Sequence, residues 1–249
     1  MKLAFSQLTA SAEQASFLMS RFREFGFDGL QLKGGQYSPY LDAPGCFGQT
    51  WGHVPGVASA LIAGGKLDGP GLARLRGLFA FGREVGAERI VFCPAGPREG
   101  LSDDDIRGWA RRLSELGAEA SEAALALSVH NHNDSPVMHR GDFDTFFGAV
   151  AGGSVGLTLD TAHAALSGIE DIPSLIRDMR DVIDNFHMKD LADGRFEVLG
   201  EGGLDFEGIF AAVGETGYDG WVSADEESGA DPAGAMKQCH EFLTTGLGL

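Results

Sequence analysis

Residues 155–160 read Val-Gly-Leu-Thr-Leu-Asp, an apolar run without alternation that stops on a carboxylate. A strand with one wet face alternates, whereas a parallel strand covered by helices is apolar nearly throughout. Working outward, LALSVH (125–130) precedes this run, while NFHMK (185–189) and WVSAD (221–225) follow it. Toward the N-terminus, similar runs occupy Leu3 to Leu8, Asp28 to Lys33, Val57 to Ala63 and Arg89 to Cys93, which makes eight. Between runs, apolar residues recur every three or four positions, as at Ala12 to Phe25 and Leu72 to Val85, and Ser102 followed by three aspartates is a helix start. Gly26, Gly86 and Gly117 are placed to end helices in the left-handed conformation, and a second helical stretch, Ala118 to Ala124, leads into the fifth strand. Eight strand-then-helix units with no break in composition predict a single α/β domain over residues 1–249, a (β/α)8 barrel, ahead of an open doubly wound sheet. The one long irregular stretch, 34–56, follows the second strand and is expected over the barrel mouth.

A hydrophobic fraction of 43% with 22% charged residues excludes a disordered chain or a coiled coil. The formal charge of −17 argues against nucleic acid or an anionic membrane as a partner, since both need clustered Lys and Arg. Cys46, Cys93 and Cys239 are scattered and odd in number, which fits a reducing compartment, so a cytoplasmic location is expected. The N-terminal segment reads as neither a signal peptide nor a membrane anchor.

A barrel of this kind builds its site at the C-terminal ends of its strands. His130, Asp160, His187 and Asp225 stand there on four neighbouring strands. Taken singly, a strand-end His or Asp is ordinarily a cap. Together they form a mixed nitrogen and oxygen set suited to Mn²⁺, Co²⁺, Zn²⁺ or Fe²⁺ rather than Ca²⁺, and two carboxylates held close call for a cation. Glu227 lies two residues beyond Asp225, and His132 two beyond His130; each is a candidate base, a group that orients a ligand, or a solvated loop residue. Trp51 and His53 in TWGHVPG are candidate walls of a polyol pocket, with Trp51 alternatively anchoring its loop. Lys33 and Lys189 are candidates for contact with a substrate oxygen; Lys33 alternatively solvates the rim, and Lys189 alternatively pairs with Asp190 or Asp193. Glu201 sits among glycines as in a phosphate-binding turn, but without a basic residue, and the glycines equally permit close backbone packing. His130-Asn131-His132 lacks the basic surroundings of an HNH nuclease.

Five segments in order, SVHNHND (128–134), GLTLDTAHA (156–164), NFHMKDL (185–191), VLGEGGLDF (198–206) and GYDGWVSADEE (217–227), carry a resemblance to the xylose-isomerase-like sugar phosphate isomerases and epimerases, a group that includes ketose 3-epimerases and inosose dehydratases. The resemblance implies a TIM barrel with one divalent ion, Mn, Co, Zn or Mg, at its mouth. It implies that Asp160 and His187 are ligands and that His163 touches substrate. The family's other two ligands are usually glutamates that also move the proton; this chain has His130 and Asp225 at those positions, with Glu227 nearby. The expected function is a metal-dependent isomerase or epimerase of a sugar, sugar phosphate or polyol, acting by proton abstraction next to a carbonyl through an enediolate. An inosose-type dehydratase and a non-catalytic sugar-binding barrel are the alternatives. The partner is a small carbohydrate or polyol, and relatives form dimers and tetramers.

Overall fold

The computed structural model describes residues 1–249. Eight parallel strands close into a barrel: β1 (Lys2–Gln7), β2 (Gly29–Leu32), β3 (Ala60–Gly65), β4 (Arg89–Pro94), β5 (Ala126–His130), β6 (Gly156–Asp160), β7 (Ile183–Met188) and β10 (Trp221–Glu226). The ring is sealed where β1 pairs with β10, Lys2 opposite Trp221 through Gln7 opposite Glu226. Strands β8 (Asp190–Ala192) and β9 (Arg195–Glu197) form an antiparallel hairpin outside the barrel. The (β/α)8 reading therefore holds, with strand ends shifted by a few residues, as at β3.

Outward-facing apolar side chains such as Leu127, Val129, Leu157, Leu159, Phe186 and Val222 are buried under the helices. On β2, β6 and β7 the alternate positions include the polar Gln31, Thr158 and Asn185, which meet inside the barrel. Gln31 of β2 and Asn185 of β7 exchange two hydrogen bonds, 2.8 and 3.2 Å, across the interior, although their strands are not neighbours. Asn185 also donates to Thr158 on β6 at 3.2 Å. Because side chains two apart share a face, this polar layer sets the direction of the residues above it: Lys33, Asp160 and His187.

Gly26 and Gly86 end the helical segments after β1 (α1, Ala12–Arg21, and its 3-10 extension) and β3 (α4, Gly69–Val85) with φ of 95° and 75°, as expected, and α6 (Arg140–Phe147) follows β5. Gly117 does not. It is buried within one continuous helix, α5 (Asp103–Glu122), which absorbs most of the separate stretch read at 118–124. A Cβ at Gly117 would lie 2.0 Å from the Ser154 carbonyl oxygen, so glycine is needed there for close packing. The turn into β5 uses Ala124 at φ 60° instead. The 34–56 stretch is not irregular either: it contains α2 (Gly34–Tyr37), a 3-10 turn (Ser38–Tyr40) and α3 (Pro44–Trp51). It packs through Phe47 against Phe81 and is tied to the C-terminal end of β1 by Gln36 donating to the Gln7 carbonyl at 2.8 Å.

Candidate metal centre

His130 and Asp160 end β5 and β6, and His187 and Asp225 stand one residue before the ends of β7 and β10; the four strands are consecutive around the ring. All four are buried, and one ligand atom from each lies within 4.8 Å of the others. Three of them carry a buried atom with no hydrogen bond, His130 Nδ1, Asp160 Oδ2 and His187 Nδ1, whereas Asp225 Oδ1 is paired with the Lys33 ammonium. A buried polar atom left unpaired costs ~1–3 kcal/mol, so such atoms on three of four clustered donors fit a bound cation. Asp160 is a helix cap that also keeps one oxygen in the cluster. Its Oδ1 caps α7 (Thr161–Leu166) by accepting from the His163 N–H at 2.9 Å, which leaves Oδ2 3.4 Å from His130 Nε2. His187 Nε2 lies 2.8 Å from Gln31 Oε1. An amide oxygen only accepts, so Nε2 carries the proton and Nδ1 presents its lone pair to the site.

Two lysines complete the site. Lys33 Nζ approaches Asp225 Oδ1 at 2.8 Å and Glu227 Oε1 at 2.5 Å, while Lys189 Nζ approaches Asp225 Oδ2 at 2.7 Å and Glu227 Oε2 at 2.8 Å. Lys189 also lies 3.4 Å from Asp160 Oδ2, and its partners are not Asp190 or Asp193. Asp190 instead accepts from the backbone of Gly200 and Gly202, each at 3.0 Å, which explains the glycine-rich turn as close packing; Glu201 is exposed.

Burial alone would push the Asp160 and Asp225 carboxyls up, but Lys189 and the other adjacent cations hold both well below the ordinary carboxylate range. Glu227 is lowered in the same way, against burial and the Asp225 charge, by Lys189 and Lys33. All three are anions at neutral pH. Both lysines are raised, because their carboxylate partners outweigh desolvation. Desolvation lowers His163 and His187 to about 3, so both are neutral. His130 is also disfavoured as a cation by burial, yet Cys93 and Asp160 beside it raise it to about 10.

His163 is buried beside the cluster, its Nε2 3.5 Å from Lys189 Nζ and its Nδ1 2.6 Å from Asn133 Oδ1. His132 is exposed and packs on His163 with ring centroids 3.9 Å apart. Trp51 donates to Tyr40 Oη at 3.0 Å and anchors its segment, and His53 is exposed; no hydrogen bond links either to the four donors. Sequence reasoning missed Gln31, although it stands two residues before Lys33 on the same strand face. It also missed Phe196, carried by the β8–β9 hairpin, whose ring lies 4.7 Å from Lys189 Nζ and meets His163 edge-on.

The profile of the family described as xylose isomerase-like TIM barrel matches residues 64–245. An inosose dehydratase of Lacticaseibacillus casei is 31% identical over 154 residues, covering 54% of this chain and 51% of the relative. The rhizopine catabolism protein MocC of Rhizobium meliloti is 26% identical over 195 residues, covering 65% of this chain and 59% of the relative. The matches thus span little more than half the length of these curated relatives. Among solved structures, the IolI protein with a bound zinc atom superposes with a TM-score of 0.80 at 18% identity, covering 99% of this chain and 98% of that one. The E. coli 3-keto-D-glucoside 4-epimerase YcjR superposes with a TM-score of 0.76 at 21% identity, covering 98% and 99%. At these identities the structural likeness speaks for the fold.

Proposed function

Since the chain belongs to the xylose isomerase-like TIM barrel family, we propose that it holds one divalent metal ion through His130, Asp160, His187 and Asp225 and moves a proton on a carbon next to the carbonyl of a sugar or polyol. The observation that carries this is the set of four buried donors near the ends of four consecutive strands, one atom of each within 4.8 Å of the others. The zinc in IolI, and the reactions named for YcjR and the inosose dehydratase, support the same reading.

A divalent ion held there would act as a Lewis acid toward substrate oxygens on which negative charge develops. The chain's own groups do the remaining work. Lys33 and Lys189 supply fixed ammonium donors for that charge in a site largely screened from water. Glu227 is ionised, is not one of the four donors, and has a side chain 21% exposed, which suits it to take up the proton. Asp225 stands beside it on β10, and His130 faces it from β5, so proton-carrying groups lie on two sides of the mouth. Neutral His163 is placed to hydrogen-bond a substrate hydroxyl. Return of the proton to the other face of the same carbon gives epimerisation, and delivery to the neighbouring carbon gives isomerisation. Loss of a β-hydroxyl gives dehydration, a second reading favoured by the inosose dehydratase match.

Elemental analysis of the purified protein, of Asp160→Ala and of His187→Ala, each after refilling with Mn²⁺, tests the metal centre. We expect about one ion per chain, lost in both variants. Exchange of the α-proton of ketoses and inososes with solvent deuterium then tests the chemistry. A wild-type chain that takes up no metal refutes the proposal.

A further inference from the structure

Four charged groups at the mouth, one of them the donor Asp225, form a closed ring of alternating sign. Lys33 bridges Asp225 Oδ1 and Glu227 Oε1, and Lys189 bridges Asp225 Oδ2 and Glu227 Oε2. Three members are almost fully enclosed: the side chains of Lys33, Asp225 and Lys189 are 9%, 3% and 2% exposed. Glu227 is the member that solvent reaches, at 21%, and it lies just past the end of β10 in a segment without regular structure that includes Gly229 at φ 88°. The Glu227 carboxylate is therefore a planar anion seated between two buried ammoniums, one oxygen on each, at the open side of the site.

Charge counting gives this seat a meaning. With Glu227 out of its seat and His130 neutral, as a ligand must be, Asp160 and Asp225 cancel Lys33 and Lys189, and a divalent ion on the four donors would leave the pocket positive. A neutral polyol would not offset that charge, whereas an anion would. The chain as a whole carries −17, so a positive pocket here is a local arrangement that runs against the surface field.

We infer that Lys33 and Lys189 form a carboxylate subsite, that Glu227 occupies it in the free protein, and that the substrate is a polyhydroxy or keto acid whose carboxylate displaces Glu227. The inference rests on the metal-centre reading above and adds the class of substrate to it. A carboxylate fits better than a phosphate, because the present occupant is itself a planar carboxylate that places one oxygen on each ammonium.

The test uses D-gluconate and its neutral counterpart sorbitol, titrated calorimetrically into Mn²⁺-loaded wild type, Lys33→Met, Lys189→Met and Glu227→Gln, with the metal content of each sample measured in parallel. Gluconate is expected to bind wild type at least about tenfold more tightly than sorbitol, as a charge-assisted pair of hydrogen bonds would give. Either lysine change should abolish that preference. Glu227→Gln removes the resident anion and should tighten gluconate binding while leaving sorbitol unchanged, an outcome that loss of a structural acid would not produce. Equal affinities for gluconate and sorbitol, a preference for sorbitol 6-phosphate over gluconate, or weaker gluconate binding in Glu227→Gln would overturn the inference. Each of these can occur in samples that carry metal, which separates failure of the subsite from failure of the metal centre.

Discussion

Replacing Gln31 by Leu tests whether the amide across the lumen aims His187 at the site. Gln31 Oε1 accepts from His187 Nε2 at 2.8 Å and from Asn185 Nδ2 at 3.2 Å, and Gln31 Nε2 donates to Asn185 Oδ1 at 2.8 Å. Leucine fills similar space but leaves the His187 Nε2–H and Asn185 Oδ1 buried without partners, at ~1–3 kcal/mol each. Asn185 Nδ2 keeps Thr158 Oγ1. The fold should therefore lose ~2–6 kcal/mol, with each kcal/mol lowering Tm by ~2–4 °C in a chain of this size. Freed of its acceptor, the imidazole can turn or carry its proton on Nδ1, and metal affinity should fall ~10–100-fold, the usual effect of losing the outer partner of a ligating histidine. Titration of Zn²⁺ or Co²⁺ against a chromophoric chelator reads the affinity, and thermal melts with and without metal read the stability. Gln31→Glu keeps an acceptor oxygen and should retain most of the affinity that the Leu variant loses. Zinc affinity in Gln31→Leu within about twofold of wild type would refute the positioning argument.

Other outcomes follow from the same geometry. Lys189→Met leaves three carboxylates facing one another with one ammonium fewer, and should destabilise the metal-free protein by ~3–5 kcal/mol. Denaturant titrations should show that loss shrinking when Mn²⁺ is added, whereas an equal loss with and without metal would mean that lysine and metal do not share the carboxylates. His163 and His187 are held near 3, below their ordinary 6.5, so the unfolded chain binds more protons between those values. Their contribution to stability is complete above pH 6.5 and is lost as pH falls toward 3, and melts of the metal-free protein should show Tm dropping through that window. Gly117→Ala pushes a methyl to 2.0 Å from the Ser154 carbonyl oxygen and forces α5 away from its neighbour. An unfolding midpoint lowered by ~1–3 kcal/mol is expected, and an unchanged midpoint would show that the helix yields freely.

Much of the molecule was legible before any coordinate. Apolar runs of parallel-strand character separated by helical periodicity imply a closed barrel, and closure brings strand ends together at one rim, so His130, Asp160, His187 and Asp225 could be grouped from their positions alone. These features are encoded locally, in the alternation that decides which face a residue takes. What tertiary structure alone decided are contacts between long or distant side chains. Gln31 and His187 are 156 positions apart and meet only because the barrel has a lumen. Lys189 has acids as near neighbours in the chain, yet its flexible stem carries the ammonium to Asp225 on β10 and Glu227 just beyond it. Gly117 reads as a helix end because glycine allows a left-handed turn, but here its missing Cβ admits the Ser154 carbonyl. Local preference determined the strands and the set of donors, whereas the pairing of charges above them depended on distances that only the closed ring defines.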